Sequence, residues 1–348
     1  MKILVVGGAG FIGTNVCLEA RGRGHEVIAF DNFVRKWTET NIPALESAGV
    51  QIVRGDVRNP IDFDKLPWVP DGIVNLSAQC GIPYSLVSPF YDFEVNTLGA
   101  LNVLEYSRTH GKIPVSFASS NKAYTNITNG ARMEEREMRY VWSDVQFQFN
   151  EWITKKGINE KLPLDAFGQF ARTPYGTSKV ASDLYHQEYY QCFGVPTVVN
   201  RMSCIYGEHQ LGAEDQAWCD FFIRQIVMKD GRINIFGTGK QVRDCLWGRD
   251  CARLYLDELE QIDKVKGEVY NIGGGAGYTL SLLEAIALIE SLTGKKANLS
   301  FHDKRYGDQD IWISDITKIQ QDLGWKPTVS PQEGFAVMIK NYQKTQKI

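Results

Sequence analysis

Metal-binding and disulfide patterns are missing from this chain. Its seven cysteines (Cys17, Cys80, Cys192, Cys204, Cys219, Cys245 and Cys251) are odd in number, scattered and never at CxxC spacing. Such a set fits buried free thiols in a reducing compartment better than a disulfide framework or a zinc site. The five histidines stand apart and no HExxH occurs, so no metal site is expected. No stretch approaches the ~20 apolar residues that span a membrane. Met1 to Val6 breaks at once into glycines, too short an apolar run for a signal peptide. No basic run stands out and the formal net charge is −3, which argues against nucleic acid or an anionic membrane surface as the main partner. A soluble, cytoplasmic protein is expected. Apolar content is not scarce: 43% of the 348 residues are hydrophobic, ample for a buried core and one or two domains.

Apolar runs and glycine turns set the rhythm of the N-terminal part. Residues 3–6 lead into Gly7-Gly8-Ala9-Gly10-Phe11-Ile12-Gly13; a helical stretch covers 14–23, and a second run, 26–30, ends in Asp31-Asn32. Strand, glycine turn, helix, strand and terminal acid form the first unit of a dinucleotide-binding fold. The glycines let backbone approach a pyrophosphate whose charge rests on a helix N-terminus. Asp31 is placed to accept hydrogen bonds from an adenosine ribose and to repel a 2′-phosphate, which favours NAD over NADP. Arg35 and Lys36 pull the other way, because either can pair with a phosphate.

The alternation continues with strands over 51–54 and 72–76, a helix over 91–110 that carries Asn96, and a strand over 113–118 delivering Ser119-Ser120. A helix over 178–191 and a strand over 197–201 follow. The expected class is α/β: a Rossmann-type doubly wound parallel sheet on 1–202 plus 241–273, with a smaller mixed α/β substrate-binding domain on 203–240 plus 274–348. Residues 125–172 interrupt this order. They are charged and aromatic (Glu134, Trp142, Phe147, Phe149, Trp152) and read as a substrate lid or an interface rather than a linker.

Chemistry concentrates in Thr173-Pro174-Tyr175-Gly176-Thr177-Ser178-Lys179. Residues four apart share a helix face, so the Tyr175 phenol and the Lys179 ammonium are expected in one pocket. A free phenol titrates near ~10 and is a poor base at neutrality; a fixed cation beside it favours phenolate. A lone YxxxK is far more often a surface pair. The glycine turn, Asp31 and Ser119-Ser120 make it a site.

In that order these motifs resemble the extended short-chain dehydrogenase/reductase family nearly end to end. Gly237-Thr238-Gly239-Lys240-Gln241-Val242-Arg243-Asp244, Tyr270-Asn271-Ile272-Gly273-Gly274 and Arg305-Tyr306-Gly307-Asp308 look like the members that act on nucleotide-diphosphate sugars. The resemblance implies Tyr175 as base, Lys179 gripping the nicotinamide ribose, and Ser120 bonded to the reacting hydroxyl. It implies NAD contacts for Gly7, Gly10, Phe11, Ile12, Gly13, Asp31, Asn32, Arg35, Asp56, Val57, Leu76, Ala78, Gln79, Asn96, Ser119, Arg201 and Ser203. Substrate contacts fall on Asn121, Gln210, Arg243, Arg305 and Asp308, guanidinium forks suiting phosphate oxygens. A homodimer or homotetramer through helices 91–110 and 178–191 is also implied. Cys204 lacks a histidine partner and reads as packing.

Related dehydratases and decarboxylases place an acid after the active-site Ser/Thr, whereas Ser120 is followed by Asn121 and Lys122. Removing water from a sugar needs that extra acid, so reversible oxidation at a carbinol remains. Ser119-Ser120-Asn121-Lys122-Ala123-Tyr124, Asp215-Gln216-x-Trp218 and Gly307-Asp308-Gln309 resemble the CDP-paratose 2-epimerase (CDP-tyvelose epimerase) group of the family. Thr125 and Asp310 depart from its pattern. The group implies inversion at C2 of a CDP-deoxyhexose. A UDP-hexose 4-epimerase, or a non-catalytic NAD-sensing protein on this fold, are the alternatives.

Overall fold

In the computed structural model, which describes residues 1–148, 151–165 and 172–345, Ile3, Leu4, Val5 and Val6 have no exposed surface at all. Apolar side chains on both faces of one strand require cover on both sides, the condition of a parallel sheet between helices. These residues lie in β1 (Lys2–Val6), followed by α1 (Phe11–Gly22), β2 (Glu26–Asp31), β3 (Gln51–Arg54), β4 (Gly72–Asn75) and α2 (Gly99–Thr109). Then come β5 (Val115–Ser120), α3 (Pro174–Phe193), β6 (Thr197–Met202), α4 (Gly248–Glu260) and β7 (Val269–Ile272). The seven strands form one parallel sheet in the order β7-β6-β5-β4-β1-β2-β3. Strand order reverses between β1 and β4, and a ligand crevice is expected beyond the carboxyl ends of the strands there. Val16, Cys17 and Ala20 of α1 pack with Cys251, Tyr255 and Leu256 of α4 on one face. Val103 and Leu104 of α2 and Tyr189 of α3 cover the other. Each fully buried valine or leucine among them contributes about 1.5–3 kcal/mol.

One buried acid makes this core pH-sensitive. Glu258 of α4 accepts hydrogen bonds from Ser116 Oγ and from Asn200 Nδ2, while its Oε1 has no partner. Burial pushes its carboxyl up to about 8. The folded chain therefore holds a proton that the unfolded chain releases above its ordinary value near ~4.3. Stability from this group is present at low pH and is lost as pH rises toward 8, by up to about 1.4 kcal/mol per pH unit. Denaturant titrations between pH 5 and 8 should show this slope in the native chain and a flatter one in Glu258→Gln.

The strands Cys204–Tyr206, Val242–Trp247 and Thr279–Ser281 make a second sheet, joined by Ile311–Trp312. Arg232–Phe236 pairs in parallel with Asn298–His302. Helices Trp218–Met228, Leu282–Thr293 and Pro331–Thr345 close around Tyr206, Phe222, Ile226, Trp247, Ile289 and Phe335. The segment 241–273 was expected to return whole to the large sheet; only α4 and β7 do. Val242–Trp247 sits centrally in the small sheet, between parallel and antiparallel partners.

The 125–172 insertion forms two short hairpins, Met133–Glu135 with Tyr140–Trp142 and Ile153–Thr154 with Gly157–Ile158. Its Ile153, Ile158 and Leu162 form a small core with Tyr124 and Trp312 from outside the insertion. Tyr140 N donates to Lys240 O at 2.9 Å and Asn129 Nδ2 to Asp308 O at 2.8 Å, tying it to the smaller lobe. Its described residues line neither cavity described below, so the lid expectation is not met by them. Phe149 and residues 166–171 lie outside the described residues. No described helix is long and apolar enough to cross a membrane.

Candidate active site

The glycine turn after β1 is built by close backbone contact. Gly7 has φ +78°, and a Cβ on Gly13 would stand 2.1 Å from the Gly7 carbonyl oxygen. Gly10 begins α1 without any side-chain cap, leaving the first-turn N–H groups open to an anion. Across the turn, Asp31 accepts from Phe33 N at 2.8 Å and Ala9 N at 3.0 Å. Burial nevertheless raises its carboxyl above the usual range, against these donors. These residues line a cavity of about 380 Å³ at the reversal of strand order. Gln210, buried in the same wall, leaves Oε1 without a partner. A turn a Cβ would fill, an uncapped helix start, an acid at the β2 end and an unpaired amide oxygen together fit a bound dinucleotide.

α3 starts sharply because Thr173 Oγ1 accepts from Gly176 N at 3.3 Å and Pro174 supplies the first helical residue. Its first turn is fixed from outside: Asp92 accepts from Ser178 Oγ at 2.6 Å, Gln79 Nε2 at 2.7 Å and Asn96 Nδ2 at 3.2 Å. Tyr175 and Ser120 line both the first cavity and an adjoining one of about 590 Å³; Lys179 lines the first. Burial drives the Tyr175 phenol up, with the Ser120 hydrogen bond opposing. The ammonium of Lys179 donates to Ala118 O at 2.7 Å, and burial brings it down to about 8. The sequence led us to expect the ammonium to depress the phenol. In the free chain desolvation dominates both groups, and the cation is turned to a backbone carbonyl.

The second cavity carries Asn121, Lys122, Arg243, Arg305 and Asp308. Arg243 pairs with Asp308 at 2.5 Å, and Arg305 lies over Phe236 at 3.8 Å. Burial would raise the Asp308 carboxyl, but Arg243 and Lys122 outweigh it and hold it low. Lys122, which the sequence reading left without a role, donates to Gly307 O at 3.1 Å. Burial lowers its amine to about 7, with Arg243 and Lys304 adding to this and Asp308 opposing. Its position two residues past Ser120 was the available signal.

The residue profile of the NAD dependent epimerase/dehydratase family matches residues 3–143 and 151–273. The chain belongs to this family. NAD is accordingly its cofactor. It is similar to a CDP-paratose 2-epimerase of Salmonella typhi, at 35% identity over 346 residues covering 97% of this chain and 98% of the relative. Two solved structures are also similar. One is a UDP-glucose 4-epimerase of Thermotoga maritima with UDP-glucose (TM-score 0.81, 25% identity, 99% of this chain and 100% of that one). The other is a UDP-glucuronic acid 4-epimerase of Bacillus cereus with UDP-glucuronic acid and NAD (TM-score 0.79, 26% identity, 99% and 100%).

Within this epimerase/dehydratase fold the first cavity gathers Gly7, Gly10, Phe11, Ile12, Gly13, Asp31, Asn32, Arg35, Val57, Leu76, Ala78, Ser119 and Ser203. Four residues expected at the dinucleotide do not line this cavity. Arg201 is a buried fork on Asp183, at 2.9 Å to each oxygen, and donates to Tyr124 Oη at 2.8 Å. Asn96 is clamped between Gln79 backbone and Asp92. Gln79 folds its amide onto Gly81 and Asp92. Asp56 is chelated by Arg58, which lowers it to about 2. Gln210, expected at the sugar, lines the dinucleotide cavity. Breaking a buried pair leaves an uncompensated charge, so Arg201→Met should cost about 3–5 kcal/mol of stability in urea unfolding, with NAD affinity of the folded fraction unchanged.

Proposed function

We propose that the chain inverts C2 of a CDP-linked deoxyhexose, interconverting CDP-paratose and CDP-tyvelose by transient oxidation to a ketone and re-reduction. The observation carrying this reading is the near-full-length similarity to a CDP-paratose 2-epimerase, together with Ser120-Asn121-Lys122, which offers no acid for dehydration. We assign the dinucleotide to the large-sheet lobe and the sugar nucleotide to the second cavity, with Arg243, Arg305 and Lys122 on its phosphates and Asn121 on the sugar. When bound, NAD supplies the hydride acceptor and donor and brings a positively charged ring. Tyr175 Oη takes the proton of the reacting hydroxyl, Ser120 Oγ donates to the same oxygen, and Lys179 fixes ribose and phenol. On the return the phenol gives its proton back, so neither residue is consumed.

The purified protein screened against CDP-, UDP-, GDP- and dTDP-sugars, with products read by NMR, tests the assignment. Turnover of CDP-paratose is expected; turnover of UDP-galactose with CDP-paratose inert would replace this reading with a UDP-hexose 4-epimerase. Solvent deuterium appearing at C2 would replace it with a deprotonation route. We also assign self-association to the face where Val87, Phe90, Phe93, Leu98, Leu184 and Tyr185 stand exposed. Light scattering should give a dimer or tetramer, and a monomer would remove this assignment.

A further inference from the structure

Three thiols far apart in sequence meet behind the wall of the two cavities. Cys204 and Cys245 are direct partners in the parallel ladder of Cys204–Tyr206 with Val242–Trp247. Cys219, in the first turn of helix Trp218–Met228, comes down onto the same face of that sheet. The sulfurs of Cys204 and Cys219 are 4.0 Å apart, and all three lie within 4.8 Å of one another. Cys219 and Cys245 are fully buried in the core of the smaller lobe, among Tyr206, Phe222 and Trp247. Cys204 is half-buried and lines both cavities.

We propose that Cys204, Cys219 and Cys245 form a binding site for one thiophilic d¹⁰ cation of the Zn²⁺ or Cu⁺ class. Metal–sulfur bonds of about 2.3 Å in a trigonal site place sulfurs about 4 Å apart; Cys204 and Cys219 already stand at 4.0 Å and all three lie within 4.8 Å, so small side-chain rotations suffice. All donors are sulfur, which selects soft cations over Mg²⁺ or Ca²⁺. Two donors are locked by sheet and helix backbone, and the third opens onto the cavities, where a water can complete the coordination. Binding displaces thiol protons into solvent as the metal–sulfur bonds form. The scattered spacing explains why no sequence motif marks the site.

Cd²⁺ added to the reduced, NAD-containing protein tests this without reference to any sugar. The expected result is a thiolate-to-metal charge-transfer band saturating at one Cd²⁺ per chain, with a rise in thermal midpoint. Both should vanish in Cys219→Ser and in Cys204→Ser, whose folding is checked by circular dichroism, and persist in Cys192→Ser, whose thiol is exposed and outside the cluster. Absence of the band in the native chain overturns the proposal. So does a band of equal amplitude in either cluster variant, which would place the metal on other thiols.

Discussion

Tyr175→Phe is expected to cut kcat by roughly 10²–10⁴-fold, the range for losing a positioned acid/base, while KM changes little and NAD stays bound. The phenol ring is buried and lines both cavities; phenylalanine keeps that surface and removes only the oxygen. In the proposed assignment cofactor binding rests elsewhere, on the glycine turn, the α1 N-terminus and Asp31. The variant thus separates chemistry from binding. Burial raises the phenol, so in the proposed mechanism the working base is assembled by Ser120, Lys179 and the occupied site together. Ser120→Ala should therefore also lower kcat, by a smaller factor, because one stabilising hydrogen bond is lost rather than the base itself. Steady-state rates with product NMR, and the dinucleotide released from denatured protein, give both readouts. Activity of Tyr175→Phe within about threefold of the native chain would remove tyrosine from the mechanism.

The glycine turn and Asp31 that line the first cavity were legible because local rules write them. Backbone approach demands glycine, a sheet buried on both faces demands apolar runs, and a strand-end acid follows at a fixed interval. The Tyr175–Lys179 pair was legible through helix spacing. Their electrostatics were not, since spacing shows who shares a face but not how dry it is. The partners of Arg201 and Asn96 were not legible for a related reason. A strand-end arginine goes to whatever faces it, and here Asp183 and Tyr124 do, the latter 77 residues away in sequence. The small sheet was misread at Val242–Trp247 because a buried strand carries no mark of which sheet it joins. Lys122 and the three thiols belong to the same class: their meaning comes from neighbours brought by topology.

Lys122→Met tests the part of the proposed substrate site that sequence alone did not disclose. Methionine keeps most of the apolar stem and removes the charge. Losing a charge-assisted hydrogen bond of about 1.5–3 kcal/mol to an anionic substrate should raise KM by roughly ten- to a hundredfold, with kcat affected less. The pH dependence gives a second signature. Burial and the charges of Arg243 and Lys304 lower the amine to about 7, against the opposing pull of Asp308. Lys122 is charged below that value and neutral above it, so affinity for a diphosphate should decline as pH rises through 7. A bound anion favours the charged form and shifts the decline upward in the complex. In Lys122→Met the decline should disappear while any pH effect on kcat remains. Because the amine also holds Gly307 O, a purely structural role would instead lower kcat and thermal stability and leave the pH profile of KM intact. That outcome would take Lys122 out of the substrate site and leave the phosphates to Arg243 and Arg305.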